Sequence, residues 1–184
     1  RLPHRRGDEP HVDLAPRAYL DDLPRLDARF PADSPAGRDE LMMIGRRHLR
    51  SNNSWMHNVD KLVKGKPRCR LFVHPEDATR LGLAEGELAR VRSRVGEITV
   101  EVELDEDLMP GVVCLPHGFG HGRPGTRMKV ANAHAGVSAN DLTDPMAIDE
   151  LSGNARLSGF PVEVSPADVA DPADPEIRAY SVTP

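Results

Sequence analysis

The residues best suited to chemistry lie in one segment, IGRRHLRSNNSWMHN, at positions 44–58. It holds three arginines, two histidines, three asparagines and Trp55, the only tryptophan of the chain. Arginine binds phosphate through parallel hydrogen bonds, asparagine and serine can bond the edges of a heterocycle, and an indole offers a stacking face. The cluster therefore predicts a ligand that joins phosphate groups to a heteroaromatic ring. The alternative is a solvated basic loop in which Trp55 is buried for packing.

A second segment, residues 114–144, mixes glycines, which permit close backbone approach to a ligand, with histidines. These residues are Gly118, Gly120, Gly122 and Gly125 together with His117, His121 and His134. A zinc site formed by Cys114 and the three histidines is one alternative. Two histidines four positions apart usually bind a metal from one face of a helix. The glycines and Pro124 around His117 and His121 disfavour a helix there, which argues against zinc. Cys114 also belongs to the apolar run VVCLP, where a buried thiol is ordinary, so we assign no metal ligand.

A third segment, residues 140–164, begins with Asn140 and Asp141. These two side chains either cap a turn or hydrogen-bond the amino group of a purine or pterin, and the sequence leaves both interpretations open. No Ser–His–Asp arrangement or pair of carboxylates stands out, and GFGHG lacks the strand-turn-helix context of a dinucleotide fingerprint. We therefore predict no catalytic residue.

Composition limits the classes of function. The chain has 184 residues and a formal charge of −5, and 20 of its 24 basic residues are arginine. An acidic chain of this kind is not expected to bind nucleic acid in general. Two cysteines, Cys69 and Cys114, exclude a disulfide framework or a cysteine-ligated cluster within the chain. No apolar run approaches the roughly 18 residues of a membrane span, and two unpaired cysteines favour the cytoplasm.

Proline and charge divide the chain into three parts. Residues 1–39 are predicted to be a linker or an extended arm, and residues 166–184 a flexible, acidic, proline-rich tail. The folded unit is expected over residues 40–165. Because the chain begins with Arg1 rather than Met, we expect it to be a piece of a longer protein.

Within residues 40–165, short apolar runs bounded by turn residues predict a mainly β structure. The predicted strands are 41–45, 68–74, one on each side of a turn at 94–96, one after the turn at 110–111, and 160–164. The residues expected to share one face of the fourth strand are Ile98, Val100, Val102 and Leu104. A short helix is predicted between Pro75, at its first position, and Gly82, at its end. Short strands with one or two small helices predict a compact barrel.

Three blocks of this sequence, in order, resemble a known family. They are LMMIGRRHLRSNNSWMHN, then LFVHPEDATRLGLAEGELARVRSRVGEITVEVELDEDLMPGVVCLPHGFGH, then ANDLTDPMAIDELSGNARLSGFPVEV. The family is the C-terminal molybdopterin dinucleotide-binding domain of molybdenum oxidoreductases, which include formate dehydrogenases, nitrate reductases and dimethyl sulfoxide reductase-like enzymes. The resemblance implies a six-stranded double-psi β-barrel with short helices, of the aspartate-decarboxylase-like type.

The same resemblance implies a cofactor-binding role. Such domains close over two molybdopterin guanine dinucleotides, together called bis-MGD, whose dithiolenes hold molybdenum or tungsten. The residues implied to line the pterin and the pyrophosphate are Gly45, Arg46, His48, Arg50, Ser51, Asn52, Ser54 and Trp55. Those implied to approach a pterin edge are His117, Gly118, Phe119 and His121, with Asn140 and Asp141 contributing from the last block.

This chain lacks two parts that the family's enzymes carry, the cysteine-rich iron–sulfur motif and the protein ligand of the metal. The resemblance implies that both, with a 4Fe–4S cluster, belong to N-terminal domains of the same polypeptide, so this chain alone is expected to be inactive. The form RRHLRSNNSWMHN most resembles formate dehydrogenase-like members. The alternative is a free-standing double-psi barrel that acts as a binding or interaction module without redox activity.

Overall fold

A computed structural model describes residues 13–29 and 41–167 of the chain. In these ranges six strands form a closed barrel in the order β1-β5-β2-β4-β3-β6. The strands are β1 (Leu41–Arg46), β2 (Leu71–Val73), β3 (Leu88–Arg92), β4 (Glu97–Leu104), β5 (Val112–Pro116) and β6 (Phe160–Pro166). The α-helices are α1 (Arg17–Leu20), α2 (Leu23–Arg29), α3 (Asp60–Val63), α4 (Pro75–Leu81) and α5 (Lys129–Ala133), and a 3₁₀ helix covers Ala139–Leu142. The double-psi β-barrel expected from the sequence is confirmed.

Strand pairing decides which loops meet. β1 and β5 are parallel neighbours, in a register that runs from Met42 opposite Val112 to Arg46 opposite Pro116. β2 and β4 form a second parallel pair, and the remaining neighbours are antiparallel. Because β1 and β5 point the same way, the chain leaves both strands at the same edge of the barrel.

Alternating side chains fill the interior of the barrel. On β4, Ile98, Val100 and Val102 are buried as predicted, but Leu104 is 37% exposed. Leu104 is the last residue of its strand, and its backbone N–H donates to a Glu85 carboxylate oxygen at 2.6 Å. It therefore lies at the end of the barrel, where the interior opens to solvent, and the predicted four-residue face ends one position earlier.

Helix α4 follows the sequence signals closely. It begins at Pro75 and ends before Gly82, whose φ of 69° is left-handed. The ring nitrogen Nδ1 of His74 accepts a hydrogen bond from the Glu76 N–H at 3.1 Å and so caps the first turn. The strand before α4 is shorter than the predicted 68–74, because it pairs with β4 and β5 only within Leu71–Val73. The thiol of Cys69, just before it, exchanges hydrogen bonds with the backbone of Val137.

The predicted N-terminal arm is described over residues 13–29, which contain α1 and α2, whereas residues 1–12 and 30–39 lie outside the described residues. The predicted tail also lies outside them from residue 168 onward. In the ranges that are described, no helix combines the length and the apolar character that crossing a bilayer requires.

Candidate ligand-binding site

Two of the segments singled out in the sequence meet at one edge of the barrel. We call residues 46–58 the arginine-rich segment and residues 117–125 the glycine segment. The first continues from β1 and the second from β5, and the His117 N–H donates to the Arg46 carbonyl at 3.1 Å. The parallel pairing of the two strands therefore brings together residues that lie about 70 positions apart in the chain.

The arginine-rich segment is built from consecutive turns and internal hydrogen bonds. The buried Ser51 donates to the His48 carbonyl both from its N–H, at 3.0 Å, and from its hydroxyl, at 2.8 Å. His48 Nδ1 accepts from the Arg50 N–H at 3.2 Å. Asn52 and Asn53 have φ values of 42° and 65°, a left-handed conformation that asparagine tolerates better than most residues.

Positive charge is concentrated in this segment without internal neutralisation. Arg46, Arg47 and Arg50 are exposed, and among the described residues none of them pairs with a carboxylate. The pKa of His48 is lowered, first by burial and then by the charges of Arg68, Arg46 and Arg50. The electrostatics of this edge therefore favour an anionic ligand.

The glycine segment contacts the arginine-rich segment directly. Gly118 has a φ of 93°, and a Cβ placed there would lie 1.8 Å from the Asn53 carbonyl oxygen. A Cβ on Gly120 would lie 2.7 Å from the Ser138 Cβ. Sequence reasoning assigned these glycines to close approach by a ligand, which stays a prediction. In the structure, both allow close approach by the protein's own backbone or side chains.

A histidine pair links the two segments in the interior. His57 Nδ1 and His121 Nε2 are 2.7 Å apart, and the two residues are 4% and 9% exposed. The Phe119 ring lies 4.3 Å from the His57 ring, centroid to centroid. Burial lowers the pKa of both histidines, that of His57 to about 4, with the positive form of His121 adding to the effect on His57.

A small cavity lies between the segments. It is lined by Val63 and by His48, Ser51, His57, Arg68, Phe119 and His134. Sequence reasoning assigned His48, Ser51 and Phe119 to cofactor binding but gave the other lining residues no such role. His57 and His134 lie within the segments already singled out, so their segments were the available signal. Arg68 carried no such signal, because only the fold brings it beside His48.

Other predicted residues lie at the same edge in different environments. The Gly45 N–H is bonded to the Ser158 hydroxyl at 3.1 Å, and His117 Nε2 is buried without a hydrogen-bond partner. Trp55 is 82% exposed, so the alternative in which it is buried for packing is wrong. Ser54 is half-buried. The binding roles of these residues stay predictions.

Asn140 and Asp141 lie in the 3₁₀ helix. Asp141 forms an ion pair with Arg123 of the glycine segment, and a Cβ on Gly96 would lie 2.1 Å from the Asp141 carbonyl oxygen. In the described part of the chain, the helix has no side-chain cap and the exposed Asn140 side chain forms no hydrogen bond. The turn-capping alternative therefore has no support, and Asp141 is joined to the site through Arg123.

Asn58 is a structural residue that sequence reasoning did not assign. Its Oδ1 accepts hydrogen bonds from the N–H groups of Val130 and Ala131, at 3.1 and 3.2 Å. These groups belong to the first turn of α5, whose donors have no partner within the helix. The end of the arginine-rich segment is thereby fixed to the chain that follows the glycine segment.

The zinc alternative gains no support from the geometry. Cys114 lies in β5 with 6% exposure, and burial raises the pKa of its thiol. His121 is hydrogen-bonded to His57. Over residues 13–29 and 41–167, no group of three or more His, Cys, Asp or Glu side chains is close enough to hold a metal ion.

Comparison with known sequences identifies relatives of this domain. The family described as Molydopterin dinucleotide binding domain matches residues 41–161. A tetrathionate reductase chain of Salmonella typhimurium is 27% identical over 164 residues, which cover 80% of this chain and 16% of that protein. The molybdopterin-containing subunit of arsenate respiratory reductase from Chrysiogenes arsenatis is 32% identical over 66% of this chain and 15% of that protein. The chain thus spans about a sixth of these relatives.

Similarity to a formate dehydrogenase is shorter. The alpha chain of the F420-dependent formate dehydrogenase from Methanocaldococcus jannaschii is 40% identical over 52 residues, or 28% of this chain and 8% of that protein. Among solved structures, acetylene hydratase from Pelobacter acetylenicus superposes with a TM-score of 0.57 at 22% identity, over 80% of this chain and 20% of the hydratase. At that identity, the structural likeness concerns the fold alone.

Proposed function

Since this chain belongs to the molybdopterin dinucleotide-binding domain family, we propose that it binds molybdopterin guanine dinucleotide as the cofactor-binding domain of a larger oxidoreductase. The enzyme is formate dehydrogenase-like, holds molybdenum or tungsten on bis-MGD, and is cytoplasmic. The metal ligand and a 4Fe–4S cluster lie in other domains of the same polypeptide, which are the protein partners of this chain. The chain alone is therefore inactive.

The observation that carries the proposal is the set of unneutralised arginines where β1 and β5 end. Arg46, Arg47 and Arg50 have no carboxylate partner among the described residues, although the chain has 29 acidic residues. Guanidinium groups without a carboxylate at one edge suit the two phosphates of a dinucleotide, which accept paired hydrogen bonds from arginine. The Arg46 guanidinium lies over the Phe72 ring, 4.8 Å from its centroid, a contact that leaves its charge without an anionic partner.

Different residues at this edge of the barrel bind different parts of the ligand. Arg46 and Arg50 bind the pyrophosphate, and the exposed Trp55 indole stacks on a ring of the ligand. Ser51, Asn52 and Ser54 add hydrogen bonds from the same segment, and His117, Gly118, Phe119 and His121 approach a pterin edge, with Asn140 and Asp141 nearby. When bound, the metal dithiolene supplies two-electron redox chemistry. The role of this chain is to hold and orient the cofactor and to set the charge around it.

Guanosine diphosphate (GDP) provides a direct probe, because it contains the guanine and pyrophosphate parts of the proposed ligand. We expect isothermal titration calorimetry to show GDP binding to the 184-residue chain. Arg46→Ala and Arg50→Ala should each weaken it about tenfold, from the loss of a charge-assisted hydrogen bond.

Arg90→Ala is the matched control, since Arg90 is already paired with Glu97 at 3.2 Å on β3. Its GDP affinity should equal that of the unaltered chain. An equal loss in all three variants would contradict a local pyrophosphate site. Molybdenum or tungsten together with iron in the natural full-length protein would support the oxidoreductase role, and a metal-free protein of about this length would favour a free-standing binding module.

A further inference from the structure

The bond between His57 and His121 constrains the protons that the two rings can carry. A hydrogen bond between imidazole nitrogens needs one N–H and one bare nitrogen, so two fully protonated rings cannot form it. The bond lies inside the protein, where neither residue is more than 9% exposed. The two neutral rings must therefore hold complementary tautomers at the contact, one donating and the other accepting.

The surroundings of His57 make this bond decisive for its orientation. His57 Nε2 is buried without a hydrogen-bond partner, so the polar contacts of the ring are those to His121 and to the Gly118 carbonyl, both in the glycine segment. The Gly118 carbonyl opposes the lowering of the pKa of both rings. The other titratable groups that act on His57 are Arg68, which is positive, and His48, which is positive or neutral, so neither supplies a negative charge. No carboxylate acts on either ring to stabilise an imidazolium.

Each ring of the pair belongs to a different one of the two segments. His57 is near the end of the arginine-rich segment, after the left-handed Asn52 and Asn53. His121 lies in the glycine segment and is held by the chain that follows it, since its N–H donates to the Ala135 carbonyl at 3.1 Å and its carbonyl accepts from Asn132 Nδ2 at 2.8 Å. The backbone of the glycine segment is thus fixed independently, and the histidine bond attaches the other segment to it.

We propose that His57 and His121 are positioning residues for the ligand: their hydrogen bond attaches the arginine-rich segment to the glycine segment and holds Arg46 and Arg50 where they meet the phosphates. This inference rests on the proposed function. The pair touches no phosphate itself. The bond restricts the conformations of the arginine-rich segment before the ligand arrives. Binding then costs less conformational entropy.

Substitutions at position 57 separate the hydrogen bond from the packing. His57→Phe keeps an aromatic ring against Phe119 but removes the polar contact. His57→Asn loses the ring but keeps a polar atom near the position of Nδ1. We expect His57→Phe to weaken GDP binding to the 184-residue chain about tenfold, the order of one buried hydrogen bond, and His57→Asn to stay within about threefold of the unaltered chain.

Val91→Ala controls for a general loss of stability, because Val91 is fully buried on β3, away from the edge. It should lower the unfolding temperature at least as much as His57→Phe while leaving GDP affinity unchanged. If His57→Phe binds GDP as well as the unaltered chain, or if His57→Asn and Val91→Ala lose as much affinity as His57→Phe, the positioning role is wrong.

A measurement without ligand distinguishes this inference from the proposed function. Long-range ¹H–¹⁵N spectra of the histidine rings at pH 7 should show His57 and His121 each in a single tautomer. In His57→Phe, the signals of His121 should change towards those of an averaged ring. Averaged tautomers in the unaltered chain would overturn the pairing. Single tautomers in a chain that fails to bind GDP would support the pairing and count against the proposed function.

Discussion

Arginines in two regions of this barrel have opposite surroundings. Around β2 to β4 several of them are neutralised: Arg70 lies 2.5 Å from a Glu101 oxygen, with two more glutamates within 4 Å, and Arg94 holds Asp144 through two hydrogen bonds. At the ends of β1 and β5, Arg46, Arg47 and Arg50 have no such partners in the described chain. The same residue type is thus structural in one region and available to a ligand in the other.

This difference follows from the sequence around each region. The strand β4 alternates buried aliphatic residues with Glu97, Thr99, Glu101 and Glu103 on the outer face, so Arg90 on β3 and Arg70 next to β2 each meet a carboxylate. The arginine-rich segment contains no acidic residue. Its charges repel one another, and that cost is relieved when an anion binds.

The largest expected effect comes from destroying the contact that builds the ligand edge. Gly118→Ala would place a Cβ 1.8 Å from the Asn53 carbonyl oxygen, at a φ of 93°. We expect a loss of at least about 3 kcal/mol in the free energy of unfolding, measured by urea denaturation.

Gly125→Ala is the matched control for that loss. Gly125 has a similar φ of 90° but no heavy atom within 4 Å of its Cβ position, so only the backbone penalty of about 1 kcal/mol is expected. Equal losses in the free energy of unfolding would mean that the contact with Asn53 adds nothing to the cost of placing alanine in a left-handed backbone conformation.

As the pH falls, protonation of the histidines at the ligand edge should destabilise the fold before the arginine–carboxylate pairs around β2 to β4 are affected. The folded-state pKa values of His48, His57 and His121 lie below the usual 6.5. The unfolded chain therefore binds more protons than the folded chain in this pH range. The contribution of these histidines to the free energy of unfolding is fully present above pH 6.5 and is lost as the pH falls toward 4. For His57, the loss is on the order of 2–3 kcal/mol, measured as urea midpoints across this range. A stability that does not change between pH 6.5 and 4.5 would contradict the burial of neutral histidines.

Removing arginines from the two regions should affect different properties. Arg70→Ala leaves Glu85, Glu101 and Glu103 close together without their cation, and we expect it to cost about 2 kcal/mol of stability. Arg47→Ala removes an unpaired charge and should change stability by less than about 0.5 kcal/mol. Chemical denaturation of both variants tests this, and similar costs would remove the distinction between the regions.

The smallest expected effect on stability is that of Trp55→Ala. Because the side chain is 82% exposed, its truncation should change the free energy of unfolding by less than about 0.5 kcal/mol. GDP affinity should nevertheless fall about five- to tenfold, through the loss of a stacking surface. A Trp55→Phe variant should recover most of the affinity, and a large drop in stability would show that the indole supports the fold instead.

Local features of the fold were predictable wherever a few neighbouring residues decide the outcome. Pro75 and Gly82 marked the ends of α4, and the alternation through Val102 marked the buried face of β4. The prediction failed at Leu104, because a strand pattern does not say where the barrel interior ends. It also overestimated the length of β2, because the strand pairs with β4 and β5 only within Leu71–Val73 and such pairing is non-local.

The candidate site was predictable as a set of segments, not as a set of contacts. The types and density of side chains in 44–58 and 114–144 were enough to identify both segments. The role of Asn58 was missed because its partners, Val130 and Ala131, are distant in the chain. Arg68 was missed because only the fold brings its charge close to His48. The exposure of Trp55 was equally undecided, because an indole serves packing and stacking alike.

By itself, the sequence determined the β-rich core, the helix α4, the concentration of arginine without acid in one segment, and the resemblance that identified the family. Each depends on residue types and short spacings. Only the tertiary structure decided that β1 and β5 are parallel neighbours, that Gly118 admits the Asn53 backbone, and that His57 meets His121. Strand pairing is non-local, so the composition of a segment shows what it can bind but not which other segment completes the site.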